Sequence, residues 1–453
     1  MFKWKYRGIY PPHNKNTQCS VVRRLPTPFE VHIPMQMHSG KAAVPAVKPG
    51  DKVMMGQLIG EMGGVVSSPI HSSVSGTVKR INDRDSVTGQ KAVSITIESD
   101  DQQTLCPDIK KPSVRSLQDF YDAVRDSGAV GLGGAGYPAA PKLAIKNLDE
   151  LDYILINGAE CEPYVTADTN TMVADALHVY VGVKLLLEFM RPKKICICIE
   201  DNKVEAIKVM QETFAYDDNV DVCVLPTMYP QGERKVLVHN ITGRIVPAGA
   251  RLADVGVIVT NVTTIAVFAR YIRNGLPLIK KVVTVDGPVV GNPSNVLAPI
   301  GTPIRELFDF CGGFTTEGPR KIIMGGPMMG YAVPSLDMPV VKTTNCLLAY
   351  PESSTFHPPA TACIKCGRCL SVCPMRLMPP NIETAFSQSN LDALNHYNVN
   401  MCVECGSCAY ICPSKRPLVQ AIQLSKERLW LFKQEQKAAE EARAAADTKG
   451  VNR

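Results

Sequence analysis

The sequence predicts a multidomain chain in which an α/β domain stands between β-rich segments and a small cysteine-rich domain. Three observations lead to this fold class. Apolar segments with strand and helix periodicity alternate between residues 113 and 274, which is the pattern of βαβ units and a mostly parallel sheet. Short alternating strands separated by Gly/Pro turns occupy residues 29–100 and 275–345. Eight cysteines are packed between residues 363 and 412.

The length of 453 residues allows three or four domains of roughly 100–200 residues each. The net charge of +6 is too small and too dispersed for a nucleic-acid partner, but it suits an acidic protein or an anionic membrane face. We expect an N-terminal arm (1–28), a barrel-sandwich domain (29–100), the α/β domain (113–274), a second β domain with a linker (275–345), the cysteine-rich domain (346–426) and a helical or disordered tail (427–453).

Neither a membrane span nor a signal peptide is predicted. The longest apolar stretches, 151–159 and 255–269, fall short of the ~18–20 residues that a span needs. The N-terminal sequence MFKWKYRGIYPPHNKN lacks the apolar core of a signal peptide. We therefore expect a cytosolic chain, and a peripheral position on a membrane complex remains compatible with it.

The first β domain resembles biotinyl and lipoyl carriers. Residues 47–61 read VKPGDKVMMGQLIGE and residues 67–81 read SSPIHSSVSGTVKRI, so glycine turns separate short strands. Carriers of this kind hold a modifiable lysine at a hairpin tip, whereas residues 62–65 read MGGV. We predict an unmodified barrel-sandwich domain that packs or docks, with His38 and His71 as surface or packing residues and not as ligands.

Residues 128–142 form a glycine-rich segment, GAVGLGGAGYPAAPK, which ends at Lys142. Such a run lets backbone N–H groups approach a phosphate closely, because no Cβ blocks the way. Residues 131–136 match G-x-G-x-x-G, but a helix is predicted at 114–127, where a standard Rossmann start would have a strand. A flexible surface loop is the alternative. The glycines concerned are Gly128, Gly131, Gly133, Gly134 and Gly136.

Polar motifs follow the predicted strands of the α/β domain. Strands are expected at 153–156, 194–199, 220–225 and 255–259, and helices at 171–190, 202–214 and 265–274. Ligands of such sheets bind at the carboxyl ends of the strands. NGAECEPY (157–164) places Glu160 and Glu162 there, and residues 229–233 and 260–264 add YPQGE and TNVTT. The last motif caps a helix or holds a phosphate.

The second β domain, 279–314, resembles a soluble-ligand-binding β-grasp domain that ends in an amphipathic helix. The GGPMMG stretch at 325–330 is a phosphate cradle or, as we expect, a hinge before the cysteine-rich domain. Cys161 and the other scattered cysteines are expected to be small buried hydrophobic residues.

The cysteine-rich domain repeats C-x2-C-x2-C-x3-C-P, the spacing of bacterial ferredoxins. In two-cluster ferredoxins the fourth cysteine of each run binds the other cluster. Zinc is the alternative, but zinc sites use two pairs of ligands. Helices are expected at 381–389, 391–397 and 413–426. The predicted ligands of two [4Fe–4S] clusters are Cys363, Cys366, Cys369 and Cys412 for the first, and Cys402, Cys405, Cys408 and Cys373 for the second.

The motifs GLGGAGYPAAPK, NGAECEPY, YPQGE and TNVTT, in this order, resemble the FMN- and NADH-binding subunit of respiratory complex I. With the twin cysteine runs behind them, nearly the whole chain resembles the C subunits of Rnf electron-transport complexes. The resemblance implies that Glu160 and Glu162 border the reacting rings. It implies FMN- and NAD(H)-binding roles for Gly131, Gly133, Gly134, Gly136, Lys142, Asn157, Glu160, Gly232, Glu233, Asn261 and Thr264.

This chain departs from the complex I pattern at several positions. Val130 and Leu132 stand where complex I has arginines, and Ala159 stands where it has an aspartate. The paired glutamates of complex I read Glu233-Arg234 here. These departures remove acidic groups and move positive charge, which bears on how NAD or NADP is held.

The resemblance implies a peripheral subunit on the cytoplasmic side of the bacterial inner membrane. The complex couples ferredoxin:NAD+ oxidoreduction to Na+ or H+ transport. The chain would exchange hydride between NAD(H) and FMN and pass single electrons to partner subunits, an iron–sulfur subunit among them, and indirectly to ferredoxin. The alternative is an iron–sulfur relay or scaffold without its own nucleotide site.

Overall fold

The computed structural model describes residues 7–316, 320–355 and 358–450. The first six residues of the predicted arm and the last three of the predicted tail lie outside them. The chain divides into two compact units, each considered by itself. The large unit comprises Pro11–Thr227 and Gln231–Phe356, and the cysteine unit comprises His357–Arg453 with Met1–Tyr10 and Met228–Pro230.

The first β domain of the large unit consists of two small antiparallel sheets with strand orders β2-β8-β7-β4 and β3-β5-β6. Val31, Ile33, Ile59, Ile95 and Ile97 are fully buried and form its core. The strands are β1 (Arg23–Arg24), which joins a later sheet, β2 (Glu30–Pro34), β3 (Val44–Pro45), β4 (Lys52–Val53), β5 (Leu58–Glu61), β6 (Ile70–His71), β7 (Gly76–Asp85) and β8 (Lys91–Ser99).

The α/β domain contains a four-stranded parallel sheet with the order β11-β10-β9-β12. Three of its strands, at 153–157, 194–200 and 257–261, consist mostly of buried apolar residues, as expected for a sheet covered by helices, whereas the edge strand at 220–225 is partly exposed. In chain order the elements are α1 (Leu117–Asp126), α2 (Ala139–Leu143), β9 (Tyr153–Asn157), α3 (Ala167–Ala174), α4 (Ala176–Met190), β10 (Lys194–Glu200), α5 (Val204–Thr213), β11 (Val220–Leu225), α6 (Arg234–Thr242), β12 (Val257–Asn261) and α7 (Val262–Asn274).

The helix predicted at 171–190 is two helices, α3 and α4, because the backbone leaves the helical region at Asp175. The Asp175 carboxylate contacts Arg270 of α7 and His178 of α4, so tertiary contacts offset the break. The strand predicted at 255–259 begins at Val257, because Leu252–Val255 forms a 3-10 turn.

The second β domain is a six-stranded mixed sheet with the order β1-β14-β13-β17-β15-β16. Residues 325–330 form the connection between β15 and β16, so they are a hairpin turn and the hinge prediction is wrong. Residues 346–351, assigned above to the cysteine-rich domain, form β17 between β13 and β15. The elements are β13 (Lys280–Asp286), β14 (Ser294–Pro299), α8 (Ile304–Phe310), β15 (Arg320–Met324), β16 (Tyr331–Ala332) and β17 (Cys346–Pro351).

The cysteine unit is helical in its described part and packs around Ile382, Leu394, Val399, Ile422 and Leu429. The helix expected at 413–426 begins later and is much longer, so the tail is helical as far as Gly450. The helices are α9 (Arg368–Val372), α10 (Pro379–Ser387), α11 (Leu391–His396), α12 (Ser407–Tyr410) and α13 (Leu418–Gly450). No helix among the described residues combines the length and apolar character that crossing a bilayer requires.

Candidate functional site

The carboxyl edge of the parallel sheet brings the predicted motifs together. Asn157, the last residue of β9, lies in register with Asn261, the last residue of β12. The Asn157 side chain donates from Nδ2 to the Gly232 carbonyl at 2.8 Å, which joins the segments that follow β9 and β11. Residues that are distant in sequence therefore meet where parallel sheets bind ligands.

The glycine-rich segment is a closed loop held on this edge. The Gly131 amide donates to the Tyr137 carbonyl at 2.8 Å, and the Gly136 amide donates to the Gly131 carbonyl at 3.1 Å. Thr264 fastens the loop to α7, because its Oγ1 accepts from the Leu132 amide at 3.0 Å and donates to the Val130 carbonyl at 2.8 Å. These bonds argue against a loosely held surface loop.

The tip of the loop leaves backbone accessible at Gly133, Gly134 and Ala135, which are exposed. A Cβ on Gly133 would lie 3.0 Å from the Asn261 Nδ2, and Gly134 has a φ of +127° with open space around its Cα. Side chains at these positions would be crowded or strained, and they would cover the backbone amides. The tip therefore fits a phosphate cradle.

Val130 and Leu132 are anchors of this loop. Both side chains are buried in the main hydrophobic core of the large unit. The departures from the complex I pattern at these two positions therefore replace charged side chains by core contacts, and the backbone of the loop still lies at the edge of the sheet.

A cation lies at the inner side of the loop. The Lys142 ammonium lies beside Gly131, because a Cβ placed on this glycine would be 3.4 Å from the Lys142 Nζ. Burial, and then the charge of Arg234, lowers the pKa of Lys142 to about 8. Among the described residues no carboxylate forms an ion pair with this ammonium. A half-buried lysine without an anionic partner, beside exposed loop amides, fits a phosphate group.

Two of the three glutamates predicted at the edge cap helices. Glu160 accepts from the Asp168 amide at 2.6 Å and from the Thr169 amide at 3.1 Å at the start of α3. Glu233 accepts from the amides of Lys235 and Val236 at 2.7 and 3.0 Å and caps α6. Burial is the largest cause that raises the pKa of both carboxyls, that of Glu160 to about 7.

Glu162 differs from the other two. One oxygen, Oε2, accepts from the Met328 amide at 3.1 Å, whereas Oε1 is buried without a hydrogen-bond partner among the described residues. Burial raises the pKa of this carboxyl to about 7. A Cβ on Gly326 would lie 2.2 Å from Oε2, so the GGPMMG turn needs glycine there for the carboxylate to approach. Glu162 thus keeps an acceptor that a ligand can use.

Asn261 is a helix cap as well. Its Oδ1 accepts from the amides of Thr263 and Thr264 at 3.0 and 3.2 Å, and its Nδ2 donates to Asp168 at 2.7 Å. Of the two alternatives for TNVTT, the structure thus shows the helix cap. Asp168 was not predicted from the sequence, although an acidic residue in the first turn after a strand-end motif is a usable signal.

Two further lysines at this edge, one buried and one half-buried, were not predicted either. Lys281 of β13 is 4% exposed and donates to the Leu132 carbonyl at 3.3 Å. Lys15, from the N-terminal arm, donates to three carbonyls of the loop after β9. Neither lies in a motif of the α/β domain, so only the fold reveals them.

The two histidines follow the packing prediction, but only half of the eight scattered cysteines are buried as predicted. Cys196, Cys198, Cys311 and Cys346 are buried, Cys106, Cys161 and Cys223 are only half-buried, and Cys19 is exposed, so that the prediction is wrong for Cys19. Burial raises the pKa of Cys161 to about 12, which keeps its thiol protonated. His38 is buried and accepts from the Ser68 amide at 3.2 Å, and burial lowers the pKa of His71 to about 3.

The two cysteine runs have the same local structure. Lys365 and Glu404 are both left-handed, with φ of +55° and +56°, and their amides donate to the sulfurs of Cys363 and Cys402 at 3.4 and 3.3 Å. Gly367 and Gly406 then begin α9 and α12 with φ of +74° and +80°. N–H···S bonds of this kind surround the thiolates of iron–sulfur clusters.

The cysteines group across the two runs. One cavity is lined by Cys373 of the first run together with Cys402, Cys405 and Cys408 of the second. Burial is the largest cause that raises the pKa of Cys369 of the first run. Cys412 of the second run and Cys366 of the first also raise it. Among the described residues no three metal-binding side chains converge on a single ion position. The four cysteines instead surround a space.

Comparison with known proteins identifies each domain. Family models match an RnfC barrel sandwich hybrid domain over residues 4–102 and a Nuo51 FMN-binding domain over residues 124–270. Further models match an SLBB domain over residues 282–332 and a 4Fe–4S dicluster domain over residues 362–416.

Curated relatives match along nearly the whole chain. The C subunit of the Na+-translocating ferredoxin:NAD+ oxidoreductase complex of Acetobacterium woodii is 43% identical, over 92% of this chain and 95% of the relative. Its proton-translocating counterpart in Clostridium ljungdahlii is 40% identical, over 92% of each chain. The chain belongs to this family of C subunits. The C subunit of the ion-translocating oxidoreductase complex of Cronobacter sakazakii is 38% identical, over 97% of this chain and 57% of that relative.

Membership in the C-subunit family confirms several predictions. The resemblance, the four-domain fold class and the redox cofactors, FMN and [4Fe–4S] clusters, are all supported by the matched domains. The C subunits are parts of multi-subunit complexes, so the prediction of partner subunits is confirmed too.

Proposed function

We propose that this chain exchanges hydride between NAD(H) and FMN at the carboxyl edge of the parallel sheet. It passes single electrons through two [4Fe–4S] clusters to partner subunits. The complex is a membrane-bound, Na+- or H+-translocating ferredoxin:NAD+ oxidoreductase, and this chain is its peripheral subunit on the cytoplasmic side. The partners include an iron–sulfur subunit, and ferredoxin is reached indirectly.

One observation carries this proposal: the exposed glycine tip, the Lys142 ammonium and the free oxygen of Glu162 occur at one sheet edge of a chain that also has two cysteine runs. FMN, when bound, takes up a hydride as an electron pair and releases the electrons singly. The protein supplies binding, orientation and charge, and hydride transfer needs no side chain to act as acid or base.

The phosphate of FMN is assigned to the loop formed by Gly131, Gly133, Gly134 and Gly136, with Lys142 as the cation. Loop amides and a lysine are the usual donors to phosphate. Thr264 and Asn261 hold the loop and the start of α7 in place through their hydrogen bonds, and so act on the cofactor through the backbone.

The reacting rings are assigned to the neighbourhood of Asn157, Glu160, Glu162, Gly232 and Glu233. Glu162 offers the buried oxygen for which the described residues supply no partner, so it is the acceptor that a ring N–H would use. The carboxylates of Glu160 and Glu233 are occupied by helix amides, so these residues shape the site. Asn157 fixes the Gly232 carbonyl.

The cluster ligands are assigned in crossed sets. Cys402, Cys405 and Cys408 bind one cluster together with Cys373, with which they share a cavity. Cys363, Cys366 and Cys369 bind the other together with Cys412. Burial raises the pKa of Cys373 and that of Cys402, the latter to about 11, so cluster binding at neutral pH must release protons from these thiols.

The test is anaerobic purification or reconstitution of the full chain, followed by a flavin and iron count and a titration with NADH. We expect about one FMN and about eight irons per chain, and bleaching of the flavin absorbance by NADH. Iron–sulfur absorbance alone, with no retained flavin, would instead establish the relay or scaffold alternative.

A further inference from the structure

Residues 13–18 of the N-terminal arm form a polar strap against the loop that follows β9. Lys15 lies at its centre. The Lys15 ammonium donates to the carbonyls of Glu160 at 2.8 Å, Glu162 at 2.7 Å and Val165 at 2.5 Å. Three carbonyls from six consecutive residues therefore converge on one cation.

The residues on either side of Lys15 fasten the strap. The His13 carbonyl accepts from the Tyr164 amide at 2.9 Å, and the hydroxyls of Thr17 and Thr166 are 2.6 Å apart. Gln18 Nε2 donates to the Asn202 carbonyl at 2.9 Å. The strap thus follows the loop from its middle to the start of α3, and it also reaches the turn after β10.

The loop has a conformation that needs such support. Glu160 and Tyr164 have φ of +47° and +68°, in the left-handed region that non-glycine residues rarely adopt. The turned backbone directs carbonyls towards the inside, where each needs a donor. Without the Lys15 ammonium, three of these carbonyls would lose the donor that the structure gives them.

A lysine suits this position better than an arginine. An ammonium is a compact charge with three donors, which matches three converging carbonyls, whereas a guanidinium is a planar fork. Apart from burial, the charged groups with the largest influence on the pKa of Lys15 are Lys203, Glu160 and Glu200. The loop that Lys15 holds contains Glu160 and Glu162, two of the residues assigned to the border of the cofactor.

We infer that the strap, with Lys15 at its centre, positions the flavin site. Its ammonium holds the loop 157–166 in the conformation that presents Asn157 and Glu162 to the cofactor, and it adds a positive charge at the border of the site. The inference rests on the proposed function. The N-terminal arm is then part of the cofactor site and not only a lead-in to the first β domain.

The test is the Lys15→Met variant of the full chain with both clusters reconstituted, and Lys48→Met, an exposed lysine, as the matched control. We expect FMN binding by the Lys15→Met variant to weaken at least about tenfold. Its flavin midpoint potential should fall, because a positive charge near the flavin favours the more anionic reduced form. Lys15→Arg should not restore wild-type affinity, and Lys48→Met should change neither quantity.

The outcomes separate this inference from the proposed function. A wild-type chain that retains no FMN overturns the proposed function. If the wild type binds FMN and Lys15→Met binds it equally well at an unchanged potential, only the role of the strap is overturned. If Lys15→Met fails to fold, the Thr17→Val variant tests the role of the strap instead. It removes only the hydroxyl contact between Thr17 and Thr166. Unchanged FMN affinity in that variant, with full iron content, would overturn the inference.

Discussion

The cysteine runs and the carboxyl edge of the parallel sheet place their functional residues in opposite ways. Each run is a local motif in which a left-handed residue and a glycine repeat at the same spacing. The edge is assembled from segments between residues 15 and 328, and Glu160, Glu233 and Asn261 also cap helices there. In the cysteine runs, the spacing in the sequence therefore predicts which residues are ligands. At the sheet edge, the role of a polar residue depends on the hydrogen bonds that it forms in the folded chain.

The sharpest test of this contrast replaces the fourth cysteine of each run. We expect Cys373→Ser to remove the cluster of the second run and Cys412→Ser to remove that of the first, with loss of about four of eight irons in each case. The cavity shared by Cys373, Cys402, Cys405 and Cys408 is the structural reason. Iron analysis and electron paramagnetic resonance of the reduced chain distinguish the two remaining clusters.

The exposed Cys19 provides the control, because Cys19→Ser should keep all the iron. If Cys373→Ser instead removed the same cluster as Cys363→Ser, each run would serve its own cluster. The crossed assignment would then be wrong.

The next largest effect is expected at the sheet edge. Lys142→Met should weaken FMN binding about tenfold or more, since it removes a charge-assisted contact to phosphate. Binding of riboflavin, which lacks the phosphate, should change little. Fluorescence titration of the reconstituted chain measures both affinities.

Lys146→Met is the matched control for Lys142→Met, because Lys146 is exposed and lies only four residues further along the chain. Equal losses for FMN and riboflavin in Lys142→Met would mean that this lysine supports the fold and not the phosphate.

The same contrast explains what the sequence predicts and what it does not. The strands of the α/β domain and the cysteine pattern were predictable because both follow from local spacing. The break at Asp175 was not, because it depends on contacts with Arg270, 95 residues away. Lys15 and Lys281 could not be placed at the edge either, since their own segments carry no ligand motif and only the packing of β13 and the N-terminal arm brings them there.

The smallest expected effect concerns the pH dependence of stability, and it tests Glu162 alone among the residues at the sheet edge. Its pKa in the folded chain is about 7, above the ordinary value of 4.5, because burial disfavours the charged form. The stabilising contribution of the neutral carboxyl is therefore complete below about pH 4.5 and is lost as the pH rises through about 7. The charged groups and donors facing it are Lys15 and the amides of Met328 and Met329.

The Glu162→Gln variant has no carboxyl group to ionise at this position, so it should not lose the stability that the wild type loses as the pH rises through about 7. We expect the variant to gain stability over the wild type as the pH rises from 5 to 8, by on the order of 1 kcal/mol after allowance for solvent screening. Chemical denaturation of the FMN-free chain at several pH values measures the difference, and Glu61→Gln, an exposed glutamate, is the control. A stability difference that does not vary with pH would show that Glu162 is already ionised at pH 5, as an ordinary surface carboxylate is, and that its free oxygen is reached by water.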